Sequence, residues 1–380
     1  MRVGIVGLGI GGTCLAVSLG RAGHQVTVFE QAGSPGPVGA GLLLQPSGQA
    51  VLADLGLLDQ VATNAWPIRS FHANKGAGRT LVELRYDRRD PAASALGVSR
   101  GVLFMALYDA ARAAGADIVT GTRVVDISGE PRTPMVGASD GRTFGPFDIV
   151  ALASGAQSDL RSRVDPRAQF RQSPWAALWS LVPIDTECAA MLHQEARGTR
   201  ILCGVLPVGP HQVAFFWGLR ADSWNDLAER GWDTFAASVS AVMPEAVPLL
   251  ARIAGFESLT LTRYGRASVR RRHAGRLVLI GDAAHATPPH LGQGANLALL
   301  DAAALAGAIA EHALPEDAFA AWDRSRRWQN RRYALAGNLL APTFQSGLTW
   351  LGPLRDLALP VLCRLPPTRA LMERVLAGRG

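Results

Sequence analysis

The chain is short of cysteine, lysine and long apolar runs. Four cysteines stand in 380 residues (Cys14, Cys188, Cys203 and Cys363), and no two form a CxxC pair. That argues against a disulfide framework, a zinc ribbon or an iron–sulfur site. No metal is expected, and the thiols read as reduced core residues of a cytoplasmic protein. Lys75 is the single lysine, so nearly every cation is an arginine. The net charge is +7, but the arginines are spread, with short clusters at residues 270–272 and 324–332. A nucleic-acid binder would concentrate them on one element, so nucleic acid is not an expected partner. No uninterrupted apolar run reaches the ~18 residues of a transmembrane helix. The apolar start is broken by glycines and then Glu30, which fits a buried strand and turn better than a signal peptide. Repeats and low-complexity segments are lacking as well.

Apolar residues make up 48% of the chain and charged residues 18%, the balance of a folded globular protein. At ~150 residues per domain the length allows two or three domains. Residues 3–6 form a short apolar run typical of a parallel sheet. A glycine turn follows, then Leu15, Leu19 and Ala22 at helical spacing, a closing Gly23, and a second strand over 26–29. Another helix is expected over 101–114, with a strand at 118–119. The middle reads as antiparallel sheet: segments 176–182, 201–207 and 213–219 are β-rich and carry Trp175, Trp179, Phe215, Phe216 and Trp217. A buried strand returns at 276–280, followed by a helix over 295–311. Pro342, Pro353, Pro360, Pro366 and Pro367 are expected to break the last stretch into short helical pieces.

Three motifs carry chemistry. Gly7-Leu8-Gly9-Ile10-Gly11-Gly12 is a GxGxxG between a strand and a helix. Gly7 permits the tight turn, Gly9 lets backbone approach a pyrophosphate, and Gly12 lets helix and strand pack closely. Phosphates then lie at a helix N-terminus, where free N–H groups and the dipole favour negative charge. Glu30, with Gln31 beside it, ends the second strand, where its carboxylate can accept from ribose hydroxyls. Such a carboxylate suits FAD or NAD rather than a 2′-phosphate.

The second motif runs from Gly281 and Asp282 through His285, Pro288, Pro289 and His290 to Gly292, Gln293, Gly294, Ala295 and Asn296. Asp282 at a strand end can accept from a ribityl hydroxyl. The 292–294 turn opens a helix whose N-terminus can stabilise the negative charge of a reduced flavin.

This GDAAH-x-x-PP-x-x-G-Q-G-x-N stretch resembles the second FAD fingerprint of class A FAD-dependent monooxygenases, the p-hydroxybenzoate hydroxylase-like aromatic hydroxylases. The tail from Leu354 through Pro367 also resembles the ubiquinone-biosynthesis hydroxylase branch. Within the family resemblance, Arg100 matches the arginine that opens a helix beside the flavin. Ser154-Gly155-Ala156-Gln157-Ser158-Asp159-Leu160-Arg161 is similar to the family's DGxxSxxR motif, with Ser154 in place of Asp. The change removes a charge and bears on NAD(P)H handling more than on FAD.

The resemblance implies an α/β fold. A three-layer Rossmann-like FAD-binding domain spans 1–70, 98–165 and 270–325, a β-sheet substrate domain is inserted at 71–97 and 166–269, and a helical C-terminal cap covers 326–380. It implies tightly bound, non-covalent FAD, transient NAD(P)H, and O₂ passed through a flavin C4a-hydroperoxide to an aromatic or polycyclic small molecule. His290, Pro288 and Pro289 are expected around the flavin ring, whereas His285 is expected to order its loop. Phe215, Trp217 and His72 are the substrate-wall candidates, with His211 a further one. The apolar tail is expected to cap the substrate cavity, with contact to a membrane surface as the alternative, and the protein to be a monomer or homodimer. A flavin-dependent reductase or dehydrogenase of the same fold, or a non-catalytic FAD-binding accessory protein, stays open as a rival function.

Overall fold

The structure, a computed structural model, describes residues 1–36, 40–76, 78–88 and 90–378. Its first sheet has six strands in the order His273–Ala274, Leu277–Leu279, Ile149–Leu152, Arg2–Val6, Gln25–Phe29 and Asp117–Val119. All neighbours pair in parallel except the short His273–Ala274 edge. Both faces are covered, which explains the unbroken apolar runs. On one face Val3, Ile5 and Val28 pack against helices Ile10–Arg21, Arg100–Ala113 and Gly294–Glu311. On the other, Val6, Phe29 and Leu152 meet a three-stranded antiparallel sheet (Val124–Glu130, Thr133–Ala138 and Thr143–Phe144). Helices, parallel sheet and small sheet make the three expected layers.

The second large sheet has seven strands: Thr260–Ser268, Gln169–Pro183, Gln212–Arg220, Ile201–Gly209, Met191–Arg197, Ser70–Asn74 and Thr80–Arg85. A further sheet of Gly41–Leu44, Ala95–Ser99 and Ala65–Ile68 lies against it. Two glycines permit that approach. A Cβ on Gly97 would come within 1.9 Å of the Pro207 carbonyl oxygen, and one on Gly41 within 2.6 Å of Val208. The division expected between 97 and 98 therefore falls inside the strand Ala95–Ser99, and the one between 70 and 71 inside Ser70–Asn74.

The prolines divide the last 40 residues less finely than expected, into the end of one long helix and two shorter ones. Pro315–Phe344 is one helix with Pro342 in its last turn, and Leu351–Arg364 continues through Pro360. Pro366 and Pro367 open the helix Pro366–Leu376, where a missing N–H costs nothing. Pro360 leaves the Asp356 carbonyl without its helical donor, and the Lys75 ammonium fills that place at 2.8 Å. Among the described residues one helix, Gly294–Glu311, is long and apolar enough to cross a membrane. It is packed between Ile10–Arg21 and Pro315–Phe344 and buries Asp301.

Candidate FAD and substrate site

The strands Arg2–Val6, Ile149–Leu152 and Leu277–Leu279 are parallel neighbours, so the turns that follow them emerge at one edge. Ligands bind beyond such carboxyl ends in open α/β sheets. The first turn needs its glycines. Gly7 has φ +104°, and a Cβ there would lie 2.5 Å from the Ala153 carbonyl oxygen. A Cβ on Gly12 would lie 2.1 Å from the Gly7 oxygen, whereas nothing stands within 4 Å of one on Gly9. The helix Ile10–Arg21 that follows has no side-chain cap and no acid in its first turn. Its free N–H groups therefore face the open space at Gly9, a cradle for a pyrophosphate.

Glu30 braces this turn directly: its carboxylate accepts from the Leu8 N–H at 3.0 Å and from the Ala32 N–H at 2.9 Å. Gln31 is exposed beside it. Arg100 is exposed in the first turn of Arg100–Ala113, a helix capped by the Ser99 hydroxyl, which accepts from Val102 N at 3.2 Å.

The second turn is held by Arg161. Its guanidinium donates to the carbonyls of Ala283 at 2.6 Å, Ala156 at 2.8 Å and Ser158 at 3.1 Å. It thus fastens the Ser154–Gly155 turn to the Asp282–His285 helix. Burial lowers its pKa from the ordinary arginine value. The Ser154 and Ser158 hydroxyls bond each other at 2.5 Å. Gly155 has φ +80° and open space around it.

The third turn brings Asp282 to the same edge. Asp282 is exposed, and its Oδ1 stands 3.8 Å from where a Gly294 Cβ would be. Gly292 is left-handed at φ +61°, and the helix Gly294–Glu311 starts without a side-chain cap or first-turn acid. Cβ atoms built on Gly11 and Gly281 would each lie 3.3 Å from the Ala298 Cβ, so the two glycine helices lie side by side. Segments near both chain ends thereby form one site.

Two fingerprint side chains hold the scaffold. Asn296 Oδ1 accepts from Gln45 N at 2.8 Å, and its Nδ2 donates to Leu43 O and Gly292 O at 3.0 and 3.1 Å. Gln293 Nε2 donates to the Leu376 carbonyl at 2.8 Å, tying the last helix to the flavin turn. What this turn, with Ala295, offers a cofactor is its backbone N–H groups.

His285 orders its loop, with Nε2 at 2.5 Å from the buried Asp301 carboxylate, which also pairs with Arg326 at 2.9 Å. This hub escaped the sequence reading because nothing local marks Asp301. His290 is different. Neither ring nitrogen has a hydrogen-bond partner among the described residues. Burial drives its pKa down to about 4, Gln345 offsetting part of the effect, so the ring is neutral at pH 7. Tyr264 and Phe344 stand edge-on and tilted to it, at 6.3 and 6.4 Å between centroids. Pro288 is half-buried and Pro289 exposed in the turn leading to it.

The substrate-wall candidates fall on the other face of the seven-stranded sheet. His72, His193, Val205 and Phe215 form one cross-strand row. Phe215 is fully buried and clusters with Trp217, whose ring meets Phe235 at 5.6 Å beneath the helix Trp232–Val242. His72 stands beside His193 on that side, and His211 is exposed at a turn. The face that packs with Leu43 and Phe344 carries Phe216, its ring tilted against Trp179 at 4.9 Å. Alternation was legible in the sequence, but which parity faces the flavin side was not.

A cleft of about 1340 Å³ runs along Ala284 and His285 and is lined by Arg171, Arg266, Arg270, Arg271, Arg327 and Arg331 among others. Arg171 and Arg266 are directly opposite on adjacent strands. Arg272 of the 270–272 cluster is buried, paired with Asp323 and placed 4.8 Å over the Trp322 ring.

Known proteins agree with this geometry. The FAD binding domain family matches residues 1–322. A 2-heptyl-3-hydroxy-4(1H)-quinolone synthase of Pseudomonas aeruginosa is 30% identical over 322 residues, covering 80% of each chain. A probable enzyme of the same name from Rhodococcus erythropolis is 28% identical, over 85% of this chain and 83% of its own. The solved P. aeruginosa PqsL, in complex with 2-aminobenzoylacetate, superposes with a TM-score of 0.81 at 25% identity, over 93% of this chain and 99% of its own. Klebsiella pneumoniae HpxO, solved with FAD and uric acid, shares the fold at TM-score 0.84 and 22% identity, over 100% of this chain and 97% of its own. An open glycine turn at an uncapped helix, a strand-end carboxylate and a second glycine helix packed on the first are what a dinucleotide flavin requires, and the chain belongs to the FAD binding domain family, among the class A FAD-dependent monooxygenases, with FAD as its cofactor.

Proposed function

We propose that this chain is an NAD(P)H-dependent monooxygenase that hydroxylates or epoxidises an aromatic or polycyclic small molecule, with oxygen activated at the flavin C4a carbon. The observation that carries the reading is the convergence of Gly9, Glu30, Asp282 and Gly292 beside a buried ring-lined region. Bound FAD supplies hydride acceptance and oxygen activation. The protein's part is to hold it, exclude water and orient the substrate.

The uncapped helix starts at Gly9 and Gly294 favour the pyrophosphate and the negative charge of the reduced ring. Trp179 and Phe216 give an apolar wall for a flat substrate. The neutral His290 imidazole carries one N–H and one lone pair beside the Gln345 amide, so it can donate to or accept from an aromatic hydroxyl or ring N–H. Quinolone synthase relatives and the 2-aminobenzoylacetate bound to PqsL favour nitrogen-bearing aromatics as the substrate class.

The arginine cleft supports a phosphorylated cosubstrate. Like charges opposite one another across strands repel, and Arg171 facing Arg266 fits a site that receives a polyanion. A doubly charged pyrophosphate such as that of NAD(P)H meets this description.

The test is a screen of 4-quinolones and aminoaryl ketones for stimulated NAD(P)H oxidation by the yellow holoprotein. A product heavier by one oxygen atom from ¹⁸O₂ supports the proposal. NAD(P)H oxidation with a reduced, oxygen-free product indicates a reductase. Flavin that neither nucleotide bleaches with any substrate indicates an accessory role.

A further inference from the structure

We propose that the outer face of the C-terminal helices docks on an anionic lipid bilayer. The charge is concentrated there. Residues 324–380 hold ten arginines and two acids, Asp356 and Glu373, whereas the rest of the chain holds 28 cationic residues against 29 acids. Arg326 and Arg355 are buried in ion pairs and Arg327 pairs with Asp323, so the cationic excess at the surface comes from Arg324, Arg331, Arg332, Arg364 and Arg374. Both of the segment's acids are already engaged, Asp356 by Arg355 and Glu373 by Arg88.

Among the described residues, eleven of the sixteen exposed large hydrophobic residues fall between positions 328 and 371. They are not scattered. Trp328, Leu335 and Leu339 recur at helical spacing on one side of Pro315–Phe344 and are 66, 60 and 67% exposed. Arg331 and Arg332 share that side, and the Arg331 guanidinium stands 6.0 Å from the Trp328 ring. On Leu351–Arg364, Leu354, Leu357 and Val361 form a second stripe, with Leu357 73% exposed. A groove of about 330 Å³, lined by Leu339 and Leu354 among others, joins the two stripes. Single exposed leucines need no explanation, but two adjoining stripes do.

Leucine and tryptophan interleaved with arginine are the pattern of a surface lying in the headgroup region. A second copy is disfavoured as the occupant, because a two-fold contact would press this cationic face on itself with no free acid to answer it. The inner side of the same helices adds a reason. Leu340, Phe344 and Leu359 cluster with Phe216 and Trp179, so one helix layer separates the docking face from the ring-lined wall. An apolar substrate dissolved in the bilayer would thus be held next to its site; this clause alone rests on the proposed function.

Co-sedimentation of the FAD-loaded full chain with vesicles tests the proposal. Binding is expected to vesicles of mixed phosphatidylglycerol and phosphatidylcholine, and to be far weaker on phosphatidylcholine alone. The paired variants R332E/R364E and L357S/V361S are each expected to weaken it about tenfold, with flavin content and melting temperature unchanged. Failure to sediment with either vesicle overturns the proposal whatever the catalytic outcome. So does a dimer in solution that L357S/V361S converts to monomer without any lipid binding, which would make a second copy the occupant.

Discussion

His285 and Asp301 form a closed pair at the back of the flavin turn: Nε2 and Oδ2 are 2.5 Å apart, and the carboxylate is fully buried. Arg326 and Asn330 satisfy the other oxygen at 2.9 and 3.2 Å. Burial alone would raise the Asp301 pKa. The charge and hydrogen bond of His285, then those of Arg326, outweigh it and hold the carboxyl far below the usual range. The fingerprint turn, the glycine helix and the long C-terminal helix are thereby locked together.

Asp301→Asn is predicted to lower stability by about 3–5 kcal/mol, since it strands the buried Arg326. Urea unfolding of the two proteins measures the loss. The carboxyl is depressed on folding, so its contribution is complete above pH ~4 and lost as the pH falls from there toward the folded value. The variant should lack this part of the acid sensitivity.

His290 is shifted in the same direction for a different reason: burial disfavours its charged form. Its folded pKa, about 4, lies below the ordinary 6.5, so the unfolded chain binds the extra proton. The contribution to stability is complete above pH 6.5 and declines as the pH falls from 6.5 to about 4. The difference is on the order of 3 kcal/mol. Melting temperatures across that window should fall less steeply for His290→Phe. An unchanged slope would show that the ring is not buried neutral.

Neighbouring aromatic residues should separate into two roles. Trp179→Ala removes part of the flavin-side wall and is predicted to raise KM about tenfold while FAD stays bound, the loss of one aromatic contact. Phe215→Ala opens a cavity in the opposite core and is predicted to cost about 3–5 kcal/mol of stability, with KM little changed. Steady-state kinetics beside thermal melts distinguish them, and the reverse assignment would place the substrate on the other face.

Flavin affinity reports on the glycine turns. Glu30→Ala and Asp282→Ala are each predicted to weaken FAD binding by about 1–3 kcal/mol, the range for a charged hydrogen bond. Gly12→Ala should abolish it, because the new methyl would stand 2.1 Å from the Gly7 oxygen. Fluorescence titration of the apoprotein with FAD is the measurement. Full affinity in all three would contradict the placement of the cofactor.

The dinucleotide turns, the flavin fingerprint and the layered α/β class are all written in the order of the residues. Those features are local: a glycine with φ +104° at Gly7, a strand run, a helix start and an acid at a strand end each need only a few neighbouring residues. The antiparallel strands of the second large sheet were also legible, within a residue or two for Ile201–Gly209 and Gln212–Arg220, though not the parallel pairing of Ser70–Asn74 with Met191–Arg197. Tertiary structure alone decided the rest. Phe215 and Phe216 are chemically identical, and only the layer stacked on each side tells core from wall. Asp301 looks like any helical acid until folding carries Arg326 and His285 to it. Pro360 breaks a helix in isolation, yet the Lys75 ammonium, 285 positions earlier in sequence than that proline, answers the carbonyl it leaves bare. Such outcomes depend on contacts between distant segments, whose partners no local pattern encodes.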